Sequence, residues 1–93
     1  MINHVVFSKR AEKDILKVPS YILKKLRLWV MDVEKLGLNE VQKIPGYHDE
    51  PLKGTRQGQR SIRLNIAYRA IYSIRENGKI EFILIEEVNK HEY

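Results

Sequence analysis

The dipeptide Asn77-Gly78, which lies between two stretches with the pattern of β-strands, is the feature that most restricts how this chain can fold. Asparagine and glycine tolerate the positive φ of a type I′ turn, and such a turn joins two adjacent antiparallel strands. Residues 68–74 alternate before the turn, and residues 80–88 are strongly apolar after it. Residues 60–66 also alternate, so we expect three antiparallel strands in the C-terminal third of the chain.

The N-terminal part of the chain has the periodicity of helices. Residues 2–7 are short and β-branched and predict a first strand. Ser8 is a suitable N-cap for a helix over residues 9–18, with Ala11, Ile15 and Leu16 on its inner side, and Pro19 ends this helix. A second helix is predicted over residues 21–36, because its apolar side chains recur at spacings of four and three: Ile22, Leu26, Trp29, Val33 and Leu36.

The order of these elements predicts an α+β fold. Two N-terminal helices would pack on one face of a small antiparallel sheet, in the order β-α-α-β-β-β. A chain of 93 residues has the length of a single domain, so residues 1–93 are expected to form one unit.

Composition excludes several classes of protein. The chain has no cysteine, which rules out disulfide bonds and thiolate zinc sites. No apolar run is long enough to span a membrane, and no secretory signal pattern is present at the start. We therefore expect a cytoplasmic protein without a membrane partner.

The segment over residues 39–59 has no periodicity and is rich in glycine and proline. A loop of about twenty residues is uncommon in a compact domain unless it is functional or mobile. This loop also carries many titratable groups, namely His48, Asp49, Glu50, Lys53 and Arg56. It is therefore a candidate functional loop.

Positive charge is concentrated between Lys53 and Lys79. The whole chain has a formal net charge of +5, and this window alone holds seven basic residues against one acidic residue, Glu76. Five of the seven are arginine, whose planar guanidinium matches the oxygens of a phosphate. The window is either a solvated strand face or the binding surface for an anionic partner, and the arginine bias favours nucleic acid.

Strand alternation predicts where two of these arginines point. If the helices cover Ile62 and Ala70, then Arg63 and Arg69 lie on the opposite, open face of the sheet. A type I′ turn at Asn77-Gly78 would place Arg69 opposite Glu86, as a carboxylate that could orient it or as an ordinary cross-strand ion pair.

Four motifs in the C-terminal half resemble the RelE superfamily of toxins. They are Glu50-Pro51-Leu52-Lys53-Gly54, Gly58-Gln59-Arg60-Ser61-Ile62-Arg63, Tyr68-Arg69-Ala70-Ile71-Tyr72 and Val88-Asn89-Lys90-His91-Glu92-Tyr93. The first and last are similar to the YoeB branch, and the second is similar to HigB-like members. The order of elements agrees with this superfamily over the whole chain.

The resemblance implies the toxin of a type II toxin–antitoxin system, which cuts mRNA in the ribosomal A site without a metal ion or other cofactor. In such an endoribonuclease the ribose 2′-OH attacks the adjacent phosphate, which needs a base, a cation and an acid. The implied partners are mRNA, the ribosome and a cognate antitoxin, and the toxin–antitoxin complex could bind operator DNA.

The resemblance also implies roles for particular residues. Glu50 matches the general base, Arg69 the phosphate-binding arginine, His91 the general acid and Tyr93 the residue that orients the scissile nucleotide. The implied RNA-binding cations are Lys53, Arg56, Arg60 and Arg63. This chain departs from the YoeB pattern at Glu92, which separates the C-terminal histidine from the tyrosine.

Several alternatives remain at this stage. His48 could replace Glu50 as the base, because its ordinary pKa of about 6.5 suits proton transfer near neutral pH. A ParE-like toxin has the same fold but inhibits DNA gyrase without cutting RNA. An inactive relative that only binds RNA or an antitoxin is a third possibility.

Overall fold

A computed structural model of the protein describes residues 1–90. Its helices are α1 (Lys9–Asp14), α2 (Ser20–Leu36) and α3 (Leu38–Val41). Its strands are β1 (Val5–Phe7), β2 (Glu50–Pro51), β3 (Gln59–Arg63), β4 (Tyr68–Asn77) and β5 (Ile80–Lys90). Two short 3₁₀ turns, Pro45–Tyr47 and Gly54–Arg56, lie in the long segment between α3 and β3.

The five strands form one sheet in the order β1-β5-β4-β3-β2. The pairs β2–β3, β3–β4 and β4–β5 are antiparallel, whereas β1 pairs parallel with β5. The α+β class is confirmed, with helices packed on the sheet, but the sheet is mixed and contains the extra short strand β2. The parallel pair is not visible in the sequence, because it joins the two ends of the chain and no local turn signals it.

The hydrophobic core lies between α2 and one face of the sheet. Four of the five side chains predicted on the inner stripe of α2 are buried: Ile22, Leu26, Trp29 and Val33. The fifth, Leu36, is half exposed, because the helix ends there and the chain turns at Gly37. The Trp29 ring packs on Tyr72 of β4, with 5.3 Å between the ring centroids. Within residues 1–90, no helix is long and apolar enough to cross a membrane.

Helix α1 lies beside the part of β5 that continues beyond its pairing with β1. The Ser8 side chain accepts a hydrogen bond from the Ala11 amide, as an N-cap should, and donates one to the Glu86 carbonyl. Asp14 accepts a hydrogen bond from the Val88 amide. The helix is shorter than predicted, since it ends at Asp14, and Leu16 is 84% exposed rather than on the inner side. These contacts satisfy the Glu86 carbonyl and the Val88 amide, which lie beyond the end of β1 and have no strand partner on that side.

The hairpin between β4 and β5 turns one residue later than predicted. Asn77 pairs with Ile80, so the turn consists of Gly78 and Lys79. Gly78 has a φ of 65°, and Lys79 has a negative φ, which is the pattern of a type II′ turn. A β-bulge between Ile71 and Tyr72 shifts the register by one further residue.

This register corrects one prediction. Arg69 lies opposite Asn89, so the predicted pairing of Arg69 with Glu86 was wrong. Both the later turn and the bulge move the partner of Arg69 towards the C-terminal end of β5.

Candidate active site

Strand register brings three predicted site residues to the open face of the sheet. Glu50 lies opposite Ser61, and Arg63 lies opposite Arg69. Directly opposed residues point to the same face, and so do alternate residues of one strand. Glu50, Arg63 and Arg69 therefore share the face that points away from α2, as the alternation of β3 and β4 predicts for the two arginines.

A cleft of about 260 Å³ opens at this face, between the segment before β2 and the ends of β3 and β4. Its lining residues are His48, Glu50, Leu52, Ser61, Ile62, Arg63, Asn65, Tyr68 and Arg69. The cleft thus combines two arginines with one carboxylate and one imidazole. These are the side-chain types that general acid–base chemistry on a phosphodiester requires.

The two arginines of the cleft have no carboxylate partner within residues 1–90. None of the ion pairs in this part of the chain includes Arg63 or Arg69. Arg69 Nε is buried and has no hydrogen-bond partner there either. Opposed like charges and an unsatisfied buried donor are both unfavourable, and a bound anion would relieve both. The arrangement is therefore suited to hold a phosphate.

Residues 52–58, here called the strap, cross the open face beside the cleft. The Leu52 amide donates to the Gln59 carbonyl of β3. Further along the strap, Arg56 Nη2 donates to Glu87 Oε2 of β5 over 2.8 Å. Because β4 lies between β3 and β5, the Arg56 side chain reaches across β4 at the level of Ile71, which is fully buried although it points away from α2.

The hydrogen bond and positive charge of Arg56 stabilise the ionised form of Glu87. Burial alone would raise the pKa of Glu87, but the hydrogen bond and charge of Arg56, with help from Arg10 and Asn89, hold this pKa below its usual value. Glu87 is consequently ionised and fastens the strap to β5.

A second cleft, on the other side of the strap, has compensated charge. Its arginine, Arg75, donates to Ser73 and lies 3.4 Å from the Glu86 carboxylate. Gln59 donates to the same carboxylate over 2.7 Å. Glu86 therefore orients Arg75, and not Arg69 as the sequence predicted.

The predicted RNA-binding cations are not all brought to the cleft. Arg63 lines it, whereas Arg56 holds the strap to Glu87. Lys53 is exposed at the start of the 3₁₀ turn in the strap. Arg60 lies on the opposite face of β3, where its Nε donates to Asp49 Oδ1 over 2.6 Å.

The residues before β2 include a functional candidate that the sequence did not single out. The Asp49 side chain is completely buried and accepts hydrogen bonds from Arg60 and from the Tyr72 hydroxyl. Burial and the bond to Asp49 both raise the pKa of Tyr72, so this hydroxyl remains a donor. In the sequence, Asp49 is one of several charged loop residues, and only its burial distinguishes it.

The predicted acid His91 and the predicted orienting residue Tyr93 lie outside the described residues. The last described residues of β5, Asn89 and Lys90, pair with Arg69 and Tyr68. The described part of β5 therefore ends beside the cleft. Within residues 1–90, no group of three histidine, aspartate or glutamate side chains could hold a metal ion.

Comparison with protein-family models and with curated protein sequences gave no match. Comparison with solved structures found the same fold in several toxins. YafQ from E. coli superposes with a TM-score of 0.74 at 16% identity, over 96% of this chain and 93% of that chain. A YoeB/ParE toxin from Agrobacterium tumefaciens has a TM-score of 0.70 at 17% identity, with 96% and 99% covered. The YoeB–YefM complex from Staphylococcus aureus has a TM-score of 0.70 at 22% identity, with 99% of both chains covered.

These likenesses extend over nearly the whole of each chain, and at such identities they concern the fold. YafQ is also found in a toxin–antitoxin complex with DinJ, and a further neighbour is the RelBE2 toxin–antitoxin complex from Mycobacterium tuberculosis. The structural neighbours are thus toxins of toxin–antitoxin systems. This protein therefore has the fold of the RelE/YoeB toxin superfamily.

Proposed function

We propose that this protein is the toxin of a type II toxin–antitoxin system and that it cleaves mRNA at the ribosome without a metal ion. One observation carries the proposal. Arg63 and Arg69 lie opposite each other without a carboxylate partner within residues 1–90, in the same cleft as Glu50. The toxin fold supports the proposal, because it is shared with structures of YoeB and YafQ.

The cleft can supply two of the three functions that RNA transphosphorylation needs. Glu50 would accept the proton of the ribose 2′-OH as the O2′–P bond forms. Arg69, assisted by Arg63, would donate hydrogen bonds to the non-bridging oxygens, on which negative charge develops. The P–O5′ bond then breaks, which leaves a 2′,3′-cyclic phosphate on one fragment. His48 lines the same cleft and is the alternative base.

The leaving O5′ atom requires a proton, and the predicted donor is His91. This residue follows Lys90, which pairs with Tyr68 of the cleft lining. His91 therefore directly follows the described part of β5, which reaches the cleft that would bind the phosphate. Tyr93 is predicted to orient the scissile nucleotide, and the second fragment would carry a 5′-OH end.

A cognate antitoxin is the second part of the proposal. The DinJ–YafQ and YoeB–YefM structures are complexes of this kind. An acidic or amphipathic antitoxin segment would cover the open face and compete with RNA for Arg63 and Arg69, since carboxylates and phosphates use the same donors. Such a complex could also bind operator DNA. A complex in which the antitoxin touches only the helical side would refute this arrangement.

The enzymatic proposal is tested by expressing the chain alone from an inducible promoter. We expect growth arrest, and primer extension should map new 5′-OH ends within a translated message but not within the same message without a start codon. Arrest with intact mRNA and inhibited DNA supercoiling would instead assign the protein to the gyrase-inhibiting class. Binding of RNA or antitoxin without either effect would indicate an inactive relative.

A further inference from the structure

We propose that Asp49 is a positioning residue, whose buried carboxylate fixes the neighbouring Glu50 in the cleft. The part of this inference that concerns catalysis rests on the proposed function, in which Glu50 is the base. The part that concerns structure, the ordering of residues 48–50 by Asp49, does not depend on it.

Strand β2 cannot hold Glu50 in place by itself. It contains two residues, lies at the edge of the sheet and pairs only with Ser61 and Arg60 of β3. One of its two residues, Pro51, has no amide hydrogen to donate. Both residues of β2 are exposed, so side-chain packing adds little. A base must be held within a fraction of an ångström of its working position, so another anchor is needed.

Alternation along the chain supplies that anchor. Glu50 points to the open face, where it lies opposite Ser61. Asp49 points to the other face, where Arg60 and Tyr72 lie opposite each other on β3 and β4. Asp49 and Glu50 are adjacent, so their side chains point to opposite faces of the sheet. Fixing the Asp49 carboxylate inside the protein therefore also fixes the direction of the Glu50 side chain on the open face.

Burial and hydrogen bonds to both carboxylate oxygens hold the Asp49 side chain in one position. Its side chain has 0% exposure, Oδ1 accepts from Arg60 Nε over 2.6 Å, and Oδ2 accepts from the Tyr72 hydroxyl over 2.5 Å. That hydroxyl also accepts a hydrogen bond from Gln42 at the end of α3. The Tyr72 ring is completely buried against Trp29. Asp49 is thus tied to two strands directly and to two helices through Tyr72.

A second anchor precedes the cleft residues. Tyr47 is buried, and its hydroxyl donates to Asp32 of α2 over 2.9 Å. Between the two anchors, His48 has a φ of 45°, a conformation that residues other than glycine seldom adopt. Such strain persists only where the surrounding contacts impose it. The backbone from Tyr47 to Glu50 is therefore held from both sides, with His48 and Glu50 left to line the cleft.

The test compares Asp49→Asn and Tyr72→Phe with wild type in steady-state cleavage of mRNA on ribosomes, which gives kcat and KM. Tyr72→Phe removes the hydrogen bonds of the hydroxyl to Asp49 and from Gln42 and keeps the ring, so it remains informative if Asp49→Asn does not fold. We expect kcat to fall at least about tenfold in Asp49→Asn and about threefold in Tyr72→Phe, with KM within about twofold, because Arg63 and Arg69 are untouched. Ile83→Ala, which opens a cavity on β5 between Val5 and Ile74 and removes no contact of Asp49, controls for lost stability and should keep kcat.

A second readout does not require activity. The His48 amide donates to the Pro45 carbonyl over 3.1 Å, so its hydrogen exchange reports on this segment. We expect faster exchange at residues 48–50 in both variants and unchanged exchange in β4. Unchanged kcat, or a rise in KM alone, would overturn the catalytic part. If the wild-type protein cleaves no RNA, the proposed function fails, and hydrogen exchange alone tests the structural part of the inference. Unchanged protection of the His48 amide in both variants would then show that Asp49 does not order residues 48–50.

Discussion

Two arginines of β4 provide a direct test of whether placement or bulk charge carries the activity. Arg69 and Arg75 point to the same face of the same strand, and Arg69→Ala and Arg75→Ala each remove one positive charge. They differ in their partners. Arg75 lies 3.4 Å from the Glu86 carboxylate, whereas Arg69 Nε is buried without a partner within residues 1–90.

The expected effects differ by more than an order of magnitude. Arg69 would contact the charge that develops on the phosphate, and loss of one such preorganised donor typically lowers the rate by about 10²–10³, or about 2.7–4 kcal/mol of transition-state stabilisation. The charge of Arg75 is already compensated by Glu86 in a different cleft. We therefore expect Arg75→Ala to change the cleavage rate by less than about threefold, which is the size of a weak surface effect.

The assay is steady-state cleavage on programmed ribosomes at two salt concentrations, with Lys24→Ala as an additional control on α2. Arg69→Ala should lower kcat strongly at both salt concentrations. Lys24→Ala and Arg75→Ala should act only through the salt-dependent part of binding. Equal losses in Arg69→Ala and Arg75→Ala would refute the reasoning, because activity would then follow net charge rather than geometry.

Three further predictions concern other parts of the chain. Deletion of Glu92 and Tyr93 should lower cleavage at least about tenfold, or about 1.4 kcal/mol, while antitoxin binding survives; full activity would exclude a catalytic part for Tyr93. Arg56 outweighs the effect of burial and holds the pKa of Glu87 in the folded protein below its usual 4.5. The ion pair therefore stabilises the folded protein above pH 4.5, and this contribution is lost as the pH falls through the pKa of the folded state. Denaturant unfolding of Glu87→Gln should therefore depend less on pH in the acid range, and an unchanged pH dependence would contradict this. His48→Gly should be more stable than His48→Ala by about 1 kcal/mol in the same measurement, because only glycine adopts the φ of 45° without strain.

Local signals in the sequence predict most elements of the fold but not their pairing. The inner stripe of α2 and the hairpin were predictable because each depends on a repeat or a turn within a short stretch. The register of the hairpin was not, since two adjacent dipeptides, Asn77-Gly78 and Gly78-Lys79, can each form the turn. The bulge between Ile71 and Tyr72 has no local turn signal, and the pairing of β1 with β5 joins residues from the two ends of the chain.

The open-face arginines could be predicted even though the register was wrong. The face to which Arg63 and Arg69 point depends only on alternation within β3 and β4, and a shift of the partner strand does not change it. The role of Asp49 could not be predicted in this way. Its burial results from the meeting of Arg60 and Tyr72 with a loop that shows no periodicity of its own.

Ion pairing within the protein selects which of the clustered arginines remain free to bind an anion. The basic window contains five arginines, and three of them have a carboxylate partner: Arg56 with Glu87, Arg60 with Asp49, and Arg75 with Glu86. The first pair holds the strap to β5, and the second holds the segment before β2 to β3. The third neutralises the arginine of the second cleft. Within residues 1–90 the remaining two, Arg63 and Arg69, have no such partner and lie opposite each other. The unpaired arginine charge of the window is therefore concentrated in the cleft that contains Glu50, where the proposed function places the scissile phosphate.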